Sequence, residues 1–274
     1  MRRSRSRRAD VFIESGYPAR AVYHRSMSRF LMLSTRDNDD LALGERSALL
    51  KYSGLNHDEL TWVRLERDAF PRIDLSAWDG IILCGSRFDV GAPESSKSLK
   101  QQEIEGNLHR LLSEIIARDF PFMGICYGLG LLTVQLGGRM DTTYSEDISA
   151  PVLTLTSEGL REPLLSNIPP RFQAYVGHHE AVSVLPPDMV TLVQGQAAPT
   201  QMIRIGKNVF ATQFHPELDL AGIQFRIEFF ADAGYYPPSE RALVEERVLG
   251  VDTSAAHSIL RNFATRYGSR ITAA

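Results

Sequence analysis

A cysteine between two glycines, in the run Gly-Ile-Cys-Tyr-Gly at 124–128, constrains the fold more than any other part of the chain. An apolar run at 120–125 precedes it, and a helical pattern at 129–136 follows. This order is typical of a nucleophile elbow, in which small residues let a strained strand-to-helix turn close. The helix dipole favours a thiolate there, so we expect Cys126 to be a nucleophile with a lowered pKa. A buried cysteine in a glycine-rich turn is the alternative.

A histidine and a glutamate near the end of a later β-rich run are the candidate partners of this cysteine. The run at 209–214 leads into His215, and Pro216 holds its neighbours extended. Residues two apart in extended chain point the same way, so Glu217 can orient the His215 imidazole. A strand-ending turn without a catalytic role is the alternative. A cysteine nucleophile needs such a base and orienter, so the pairing favours the catalytic reading.

The two motifs together, Gly-Ile-Cys-Tyr-Gly and Gln-Phe-His-Pro-Glu, resemble those of the class I (triad) glutamine amidotransferases. The likeness is greatest to the glutaminase domain of GMP synthase and its stand-alone relatives, and it covers about residues 30–235. It implies that Cys126 is the nucleophile, that His215 is the general base and acid, and that Glu217 orients His215.

Two backbone N–H groups are candidates for stabilising the oxyanion that thiolate attack on an amide creates. One belongs to Tyr127, directly after the nucleophile. In the family the other comes from a glycine in a Gly-Gly-Pro turn, and the matching segment here is Cys84-Gly85-Ser86. The resemblance therefore implies Gly85 as the second donor, although the first glycine and the proline are replaced. A plain strand-ending turn is the alternative.

The resemblance also implies a substrate-binding region, and here the chain departs from the family. Gly130 stands where the family commonly has a glutamine that binds the amino-acid end of the substrate. The segment 177–182 resembles the family's pocket-lining Ser-His-Gly-Asp-x-Val, which makes His178, His179 and Glu180 candidates, with Glu180 placed to receive an ammonium. Structural or surface histidines are the alternative. No third ligand at metal spacing accompanies the pair, so no metal and no cofactor are predicted.

Alternating strand-like and helix-like segments predict an α/β fold with a mostly parallel central sheet and helices on both faces, flavodoxin-like in class. After residue 138 the segments become short and β-like, which predicts a smaller antiparallel or mixed β edge carrying the His215 turn. Ligands bind at the carboxyl ends of such strands, where Gly85, Cys126 and His215 are expected. The predicted strands are 30–35, 60–65, 78–85, 120–125, 151–156, 172–176, 181–185, 190–194, 201–205 and 208–214, and the predicted helices are 41–54, 94–118, 129–136, 219–232 and 252–267.

Composition excludes several classes of protein. A net charge of −3 gives no reason to expect nucleic acid or an anionic membrane as partner. Two cysteines, both in apolar surroundings, indicate no disulfide framework and fit a reducing cytoplasm. No apolar run approaches the about 20 residues that span a membrane.

The N-terminal 29 residues differ from the rest, with eight arginines against Asp10 and Glu14. We expect a basic, disordered extension over 1–29 and one glutamine amidotransferase-like domain over 30–270. An arginine- and serine-rich leader is also typical of organelle transit peptides, and Met27 is an alternative start.

The function predicted from these features is hydrolysis of a side-chain amide through a γ-glutamyl thioester, with release of ammonia. The chain has no Ser-Gly-Gly-x-Asp-Ser loop and no Gly-x-x-x-x-Gly-Lys-Ser/Thr loop for a nucleotide phosphate, so we expect a separate ammonia-accepting synthetase as partner. Because Gly130 puts free glutamine in doubt, another γ-glutamyl amide is a possible substrate. The alternatives are a stand-alone γ-glutamyl peptidase or hydrolase, and a non-catalytic regulatory or scaffold copy of the fold.

Overall fold

The computed structural model describes residues 28–230, 236 and 238–268. The helices are α1 Asp39–Ser53, α2 Leu99–Ala117, α3 Tyr127–Gln135, α4 Leu220–Phe229, α5 Arg241–Arg247 and α6 Ser254–Tyr267. The strands are β1 Phe30–Ser34, β2 Leu60–Arg64, β3 Gly80–Leu83, β4 Phe122–Ile125, β5 Arg139–Asp141, β6 Glu146–Ser149, β7 Val152–Leu155, β8 Arg171–Gln173, β9 Val176–His178, β10 Ala181–Val184, β11 Val190–Gln194, β12 Met202–Ile205 and β13 Val209–Thr212.

Within the described residues, one nine-stranded sheet has the order β2-β1-β3-β4-β13-β12-β11-β7-β8. The first five strands in this order pair in parallel, and the remaining four pair antiparallel. The predicted α/β fold is therefore confirmed. The His215 turn was expected on an antiparallel or mixed edge. Strand β13 does have mixed pairing, parallel with β4 and antiparallel with β12, but the edge position was wrong, because β13 lies at the centre of the sheet.

Helices cover both faces of this sheet. Helices α1 and α6 pack together over one face, and α2 and α3 pack over the other. Leu49 of α1 and Ile259 of α6 belong to one buried cluster, and Leu108 of α2 and Leu132 of α3 to the second. Strands β1, β3, β4 and β13 are thereby fully buried, which matches their mostly apolar sequences, whereas the edge strand β2 keeps Thr61 exposed.

Several predicted elements differ from the structure in their bounds. The helix expected over 94–118 is a 3₁₀ turn at Glu94–Ser96 and then α2, which Ser98 caps by accepting a hydrogen bond from the Gln101 N–H. The strand expected over 172–176 is divided into β8 and β9, which lie in different sheets. Helix α5 was not predicted, because its seven residues are mostly charged and no side chain caps it.

The turn between β12 and β13 is tied to the loop that enters β4. Asp119 adopts a positive φ of 46°, and its Oδ1 accepts hydrogen bonds from the N–H groups of Lys207 and Asn208, both at 2.9 Å. This connection helps to set the register in which Ile125 lies opposite Thr212. The carboxyl ends of β4 and β13 consequently meet at one place.

The predicted N-terminal extension falls mostly on residues 1–27, which lie outside the described residues. Its last two residues, 28 and 29, are described, and the Arg29 N–H donates to Asp79 Oδ2 at 2.8 Å. The C-terminal bound of the predicted domain, residue 270, also lies outside. No helix in the part of the chain that the structure describes is both long enough and apolar enough to cross a membrane.

Candidate active site

The turn after β4 has the geometry of a nucleophile elbow. Cys126 has φ 49° and ψ −83°, a left-handed conformation that costs a residue with a Cβ about 1–3 kcal/mol. Its backbone N–H donates to the Thr212 carbonyl at 2.7 Å, and α3 begins at the next residue. A Cβ on Gly124 would lie 3.0 Å from the Gly128 backbone, so the close approach requires glycine. The expected need for a small residue in this turn is met at Gly124, whereas a Cβ on Gly128 would make only ordinary contacts, the nearest at 3.6 Å.

The residues that follow β13 bring a histidine and a glutamate into direct contact. His215 Nδ1 lies 2.7 Å from Glu217 Oε1, and both side chains are buried. The His215 N–H also donates to the Tyr175 carbonyl at 2.9 Å, which holds the turn in place. Burial raises the pKa of Glu217, but the neighbouring His215 and Arg226 outweigh it and lower that pKa to about 2. An ionised carboxylate only accepts, so Nδ1 carries the proton and Nε2 is the basic nitrogen.

Gly85 lies two residues after the end of β3, against both the Cys126 elbow and the His215 turn. A Cβ placed on Gly85 would be 3.0 Å from His215 Cε1 and 3.8 Å from Cys126 Cβ. The three residues therefore meet at the carboxyl end of the parallel strands, as predicted. Tyr127 is the first residue of α3, so its backbone N–H has no partner within the helix and is available at the elbow.

The protonation states differ from the sequence-based expectation. Burial raises the pKa of the Cys126 thiol to about 11, although Arg36 lowers it. Burial also lowers the pKa of His215. The expected lowering of the thiol pKa was wrong, because burial, the largest influence on this thiol, disfavours its charged form. The resting pair is a neutral thiol beside a neutral imidazole.

Three buried charged residues next to His215 and Glu217 were missed. Arg226 Nη2 donates to Glu217 Oε1 at 3.0 Å and lies 3.4 Å from Glu45 Oε1. Arg36 Nε donates to the same Glu45 oxygen at 3.2 Å. We call these three residues, with His215 and Glu217, the charge cluster. One signal was present in the sequence. Arg226 lies three residues after Ile223 and one before Ile227, which places it on the buried face of α4.

Arg226 also approaches the imidazole itself, with Nη1 3.0 Å from His215 Nδ1. A guanidinium has only donors, and Nδ1 already uses its proton for Glu217. The approach is therefore a charge contact, and it opposes protonation of His215. Removal of this charge would make His215 more basic.

Two clefts share Cys126 in their lining. When the space open to solvent is included, the first measures about 420 Å³ and the second about 390 Å³. Both are lined by Ser86, Cys126 and Gly177. His215 lines the first cleft, together with Arg36, Ile148, Val176, Leu218, Ile223, Arg226 and Phe230. The second is lined by Phe88, Asp89, Val90, Tyr127, Gly130, Met140, His178, His179, Glu180 and Gln213.

All four residues predicted to bind substrate thus line the second cleft, but two of them have structural partners. His178 Nε2 lies 3.0 Å from Glu146 Oε2, and the pair is buried. Glu180 Oε2 accepts a hydrogen bond from the Gly91 N–H at 2.9 Å. His178 therefore has the structural role that the sequence left open, and it also lies in the wall of the second cleft.

His179 and Gly130 complete this wall. His179 is half-buried, and its Nδ1 lies 3.9 Å from Asp89 Oδ2. A Cβ on Gly130 would be 3.1 Å from Val90 Cγ2 and 3.5 Å from Met140 Cε. A longer side chain at 130 therefore requires Val90 to move.

Gln213, two residues before His215, was also missed as a site residue. Its Nε2 lies 3.6 Å from Cys126 Sγ, within the range of a weak hydrogen bond to sulfur. It follows β13 directly and lines the second cleft. The alternation of side chains along an extended segment, which places Gln213 on the side of His215, was the available signal.

A mostly parallel α/β sheet with a cysteine elbow and a buried histidine–glutamate pair at its carboxyl end defines a candidate cysteine amidohydrolase of the α/β class. Comparison of the sequence with protein families narrows this class. The family "Glutamine amidotransferase class-I" matches residues 47–227, and the chain belongs to that family.

Individual relatives agree with this assignment. "GMP synthase [glutamine-hydrolyzing]" of Thermomicrobium roseum is 26% identical over 268 residues, which cover 85% of this chain and 47% of that protein. The enzyme of the same name from Salmonella typhimurium is 28% identical over 163 residues, covering 53% of this chain and 29% of that protein. The chain therefore spans less than half the length of these curated relatives.

Solved structures share the fold at low sequence identity. A glutamine amidotransferase from Thermotoga maritima superimposes with a TM-score of 0.72 at 17% identity, covering 89% of this chain and all of that one. A glutamine amidotransferase from Methylobacillus flagellatus gives a TM-score of 0.65 at 14% identity, covering 90% of this chain and 97% of that one. At these identities the likeness concerns the fold alone.

Proposed function

We propose that this chain is a glutaminase-type amidase that hydrolyses the side-chain amide of glutamine or of another γ-glutamyl compound. Cys126 is the nucleophile, His215 the general base and acid, and Glu217 the residue that orients His215. The observation that carries the proposal is the 2.7 Å contact of His215 with ionised Glu217, beside a cysteine held at a positive φ. Membership of the glutamine amidotransferase family supports it independently.

The first half-reaction begins from the neutral pair. His215 Nε2 takes the thiol proton as Cys126 Sγ attacks the amide carbonyl carbon, so that no free thiolate is needed in advance. The carbonyl oxygen becomes an oxyanion and accepts hydrogen bonds from the N–H groups of Gly85 and Tyr127. Glu217 stabilises the imidazolium that forms.

Collapse of this intermediate breaks the C–N bond. The proton on His215 Nε2 passes to the departing nitrogen, ammonia leaves, and a γ-glutamyl thioester remains on Cys126. Water then attacks the thioester, His215 accepts a proton from the water, and the sulfur recovers its proton as the carboxylate product departs. The proton taken from the thiol is thus used by the leaving group, and no external reductant or oxidant is required.

The proposed destination of the ammonia is a separate synthetase, in a reducing cytoplasm. The curated relatives named as glutamine-hydrolysing GMP synthases are more than twice as long as the matched region. This chain has neither of the two phosphate-binding loops sought in its sequence. An acceptor-activating unit outside the residues of this sequence would account for both observations.

Cleavage assays with Cys126→Ala as the reference test the proposal. Ammonia release from glutamine, and amine release from substituted γ-glutamyl amides, should both disappear in this variant. Ammonia as the main product would favour the amidotransferase, and released amine would favour the stand-alone γ-glutamyl hydrolase. A wild-type chain that cleaves none of these amides and forms no acyl adduct on Cys126 would refute the enzymatic proposal and favour the non-catalytic alternative.

Gly130 gives a second test of the substrate. The family's glutamine at this position would contribute a hydrogen bond to a charged group, typically worth about 1.5–3 kcal/mol or roughly 10- to 150-fold in binding. Because Val90 Cγ2 lies only 3.1 Å from the position of a Cβ at 130, Gly130→Gln should be combined with Val90→Ala. The double variant should raise kcat/KM for free glutamine relative to Val90→Ala alone. Equal values in the two variants would show that Gly130 does not limit glutamine use.

A further inference from the structure

We propose that the first cleft receives the substituent on the leaving nitrogen, and that the preferred substrate is a γ-glutamyl amide whose nitrogen carries an uncharged apolar group. This inference rests on the proposed function, because it assigns the second half of the same substrate. It concerns the wall formed by Ile148, Val176, Leu218, Ile223 and Phe230.

The direction in which the substrate lies follows from the position of the general acid. The departing nitrogen must receive its proton from His215 Nε2, so this nitrogen lies on the His215 side of the sulfur. His215 lines the first cleft, and among the described residues it is not part of the second cleft's lining. Tyr127, the proposed oxyanion donor after the nucleophile, lines the second. The γ-glutamyl chain then occupies the second cleft, and anything attached to nitrogen enters the first.

The space available exceeds what ammonia needs. A molecule of ammonia is about the size of water, whose share of liquid volume is roughly 30 Å³. The first cleft measures about 420 Å³ when the space open to solvent is included, so it extends beyond the volume of one ammonia molecule. The first and second clefts share Ser86, Cys126 and Gly177 in their linings, so one substrate bound at Cys126 can extend into both.

The chemistry of the lining selects an apolar occupant. Of the five apolar wall residues, Ile148, Val176, Leu218 and Ile223 are buried, and Phe230 at the end of α4 is partly exposed. The two arginines that line the same cleft make ion pairs with carboxylates of the charge cluster, at 3.2 Å to Glu45 and 3.0 Å to Glu217. Their charge is thereby balanced inside the protein, which disfavours an anionic substituent as the main determinant. An alkyl or aryl group gains most from this wall.

A homologous series of amides measures this directly. The probes are γ-N-methyl, γ-N-ethyl, γ-N-propyl and γ-N-butyl glutamine, whose leaving amines have nearly equal basicity. Each methylene buried in the transition state should raise kcat/KM by about threefold to fourfold, so the butyl amide should exceed the methyl amide by roughly 30- to 60-fold. The 3-hydroxypropyl amide, similar in length to the butyl amide, should lose most of this gain.

Two phenylalanine variants, one within α4 and one directly after it, connect the gain to the cleft. Phe230→Ala removes an aromatic wall residue and should reduce the butyl-to-methyl ratio several-fold. Phe225→Ala, on α4 but lining a different groove, is the matched control and should keep the wild-type ratio. Because both readouts are ratios within one variant, a general loss of folded protein cancels.

Each outcome decides the question. A rising series that Phe230→Ala flattens supports the proposal. A flat or falling series, with glutamine and the methyl amide still cleaved through Cys126, overturns it and leaves the proposed function intact. A rising series that Phe230→Ala leaves unchanged also overturns it, since the gain then arises elsewhere. Absence of cleavage of every amide, without an adduct on Cys126, overturns the proposed function and this inference together.

Discussion

Replacement of Arg226 by methionine should shift the acid limb of the pH–rate profile to higher pH. In the proposed mechanism His215 acts as a base in its neutral form, so activity should fall as pH decreases through the pKa of His215. Burial, first, and then the Arg226 charge keep this pKa below its ordinary value of 6.5. The guanidinium lies 3.0 Å from both His215 Nδ1 and Glu217 Oε1, so its removal takes away a repulsion and also leaves the Glu217 charge unshared. Both changes raise the pKa of His215.

The magnitude follows from these distances. Two unit charges about 4 Å apart interact by about 4 kcal/mol at an effective dielectric constant of about 20, and one pKa unit equals about 1.4 kcal/mol. Glu45 and Glu217 share the same guanidinium and reduce its effect on His215. We therefore expect the acid limb to move up by roughly one to two pH units. This is less than the shift of about three units that the guanidinium charge would cause if no carboxylate shared it.

The assay is kcat/KM against pH, which reports the free enzyme. Arg226→Lys keeps the charge and should keep the limb near that of the wild type. Arg118→Met makes the same change in net charge at an exposed ion pair with Glu114, outside the charge cluster. This variant should leave the acid limb unchanged. The loss of a buried pair partner costs about 3–5 kcal/mol, so folding is checked by thermal unfolding. A folded Arg226→Met variant whose limb is unchanged, or moves to lower pH, would refute this reasoning.

Three further predictions concern the elbow, the oxyanion site and the N-terminus. Cys126→Ala should abolish amide hydrolysis while Cys84→Ala leaves most of it, and an electrophilic glutamine analogue should label Cys126; label on Cys84 would contradict the assignment. Gly85→Ala should lower kcat at least about 100-fold, because its Cβ would lie 3.0 Å from the His215 imidazole. Gly106→Ala, with open space around it, is the control and should keep kcat. Similar kcat values in both variants would count against the oxyanion role of Gly85. A chain that begins at Met27 should keep its activity and its Tm, since the residues removed are highly charged and lack a clear apolar period; a Tm lower by several degrees would show that the segment is docked.

The parts of the site that depend on neighbours in sequence were predictable. The elbow requires two glycines, a cysteine and a following helix, and all of these lie within one short run. The His215–Glu217 contact follows from two residues spaced across a proline in extended chain. The α/β class followed from the alternation of strand and helix patterns, without knowledge of which strands pair.

Features that depend on tertiary contacts were not predictable from such patterns. The central position of β13 depends on its pairing with β4, which the sequence of β13 alone does not specify. The charge cluster joins Arg36 after β1, Glu45 in α1 and Arg226 in α4, three segments that meet only in the fold. The direction of the Cys126 pKa shift was wrong for the same reason, because it depends on how completely the surrounding elements exclude water from the sulfur.

The pairing of β4 with β13 has a consequence for when the protein becomes active during synthesis. The Cys126 N–H donates to the carbonyl of Thr212, a residue translated long after the elbow. Until β13 has docked in the centre of the sheet, the nascent chain presents its cysteine without the histidine that would activate it. Onset of amide cleavage should therefore coincide with the last step of sheet assembly, and activity in a refolding experiment should appear together with protection of the Cys126 amide from hydrogen exchange.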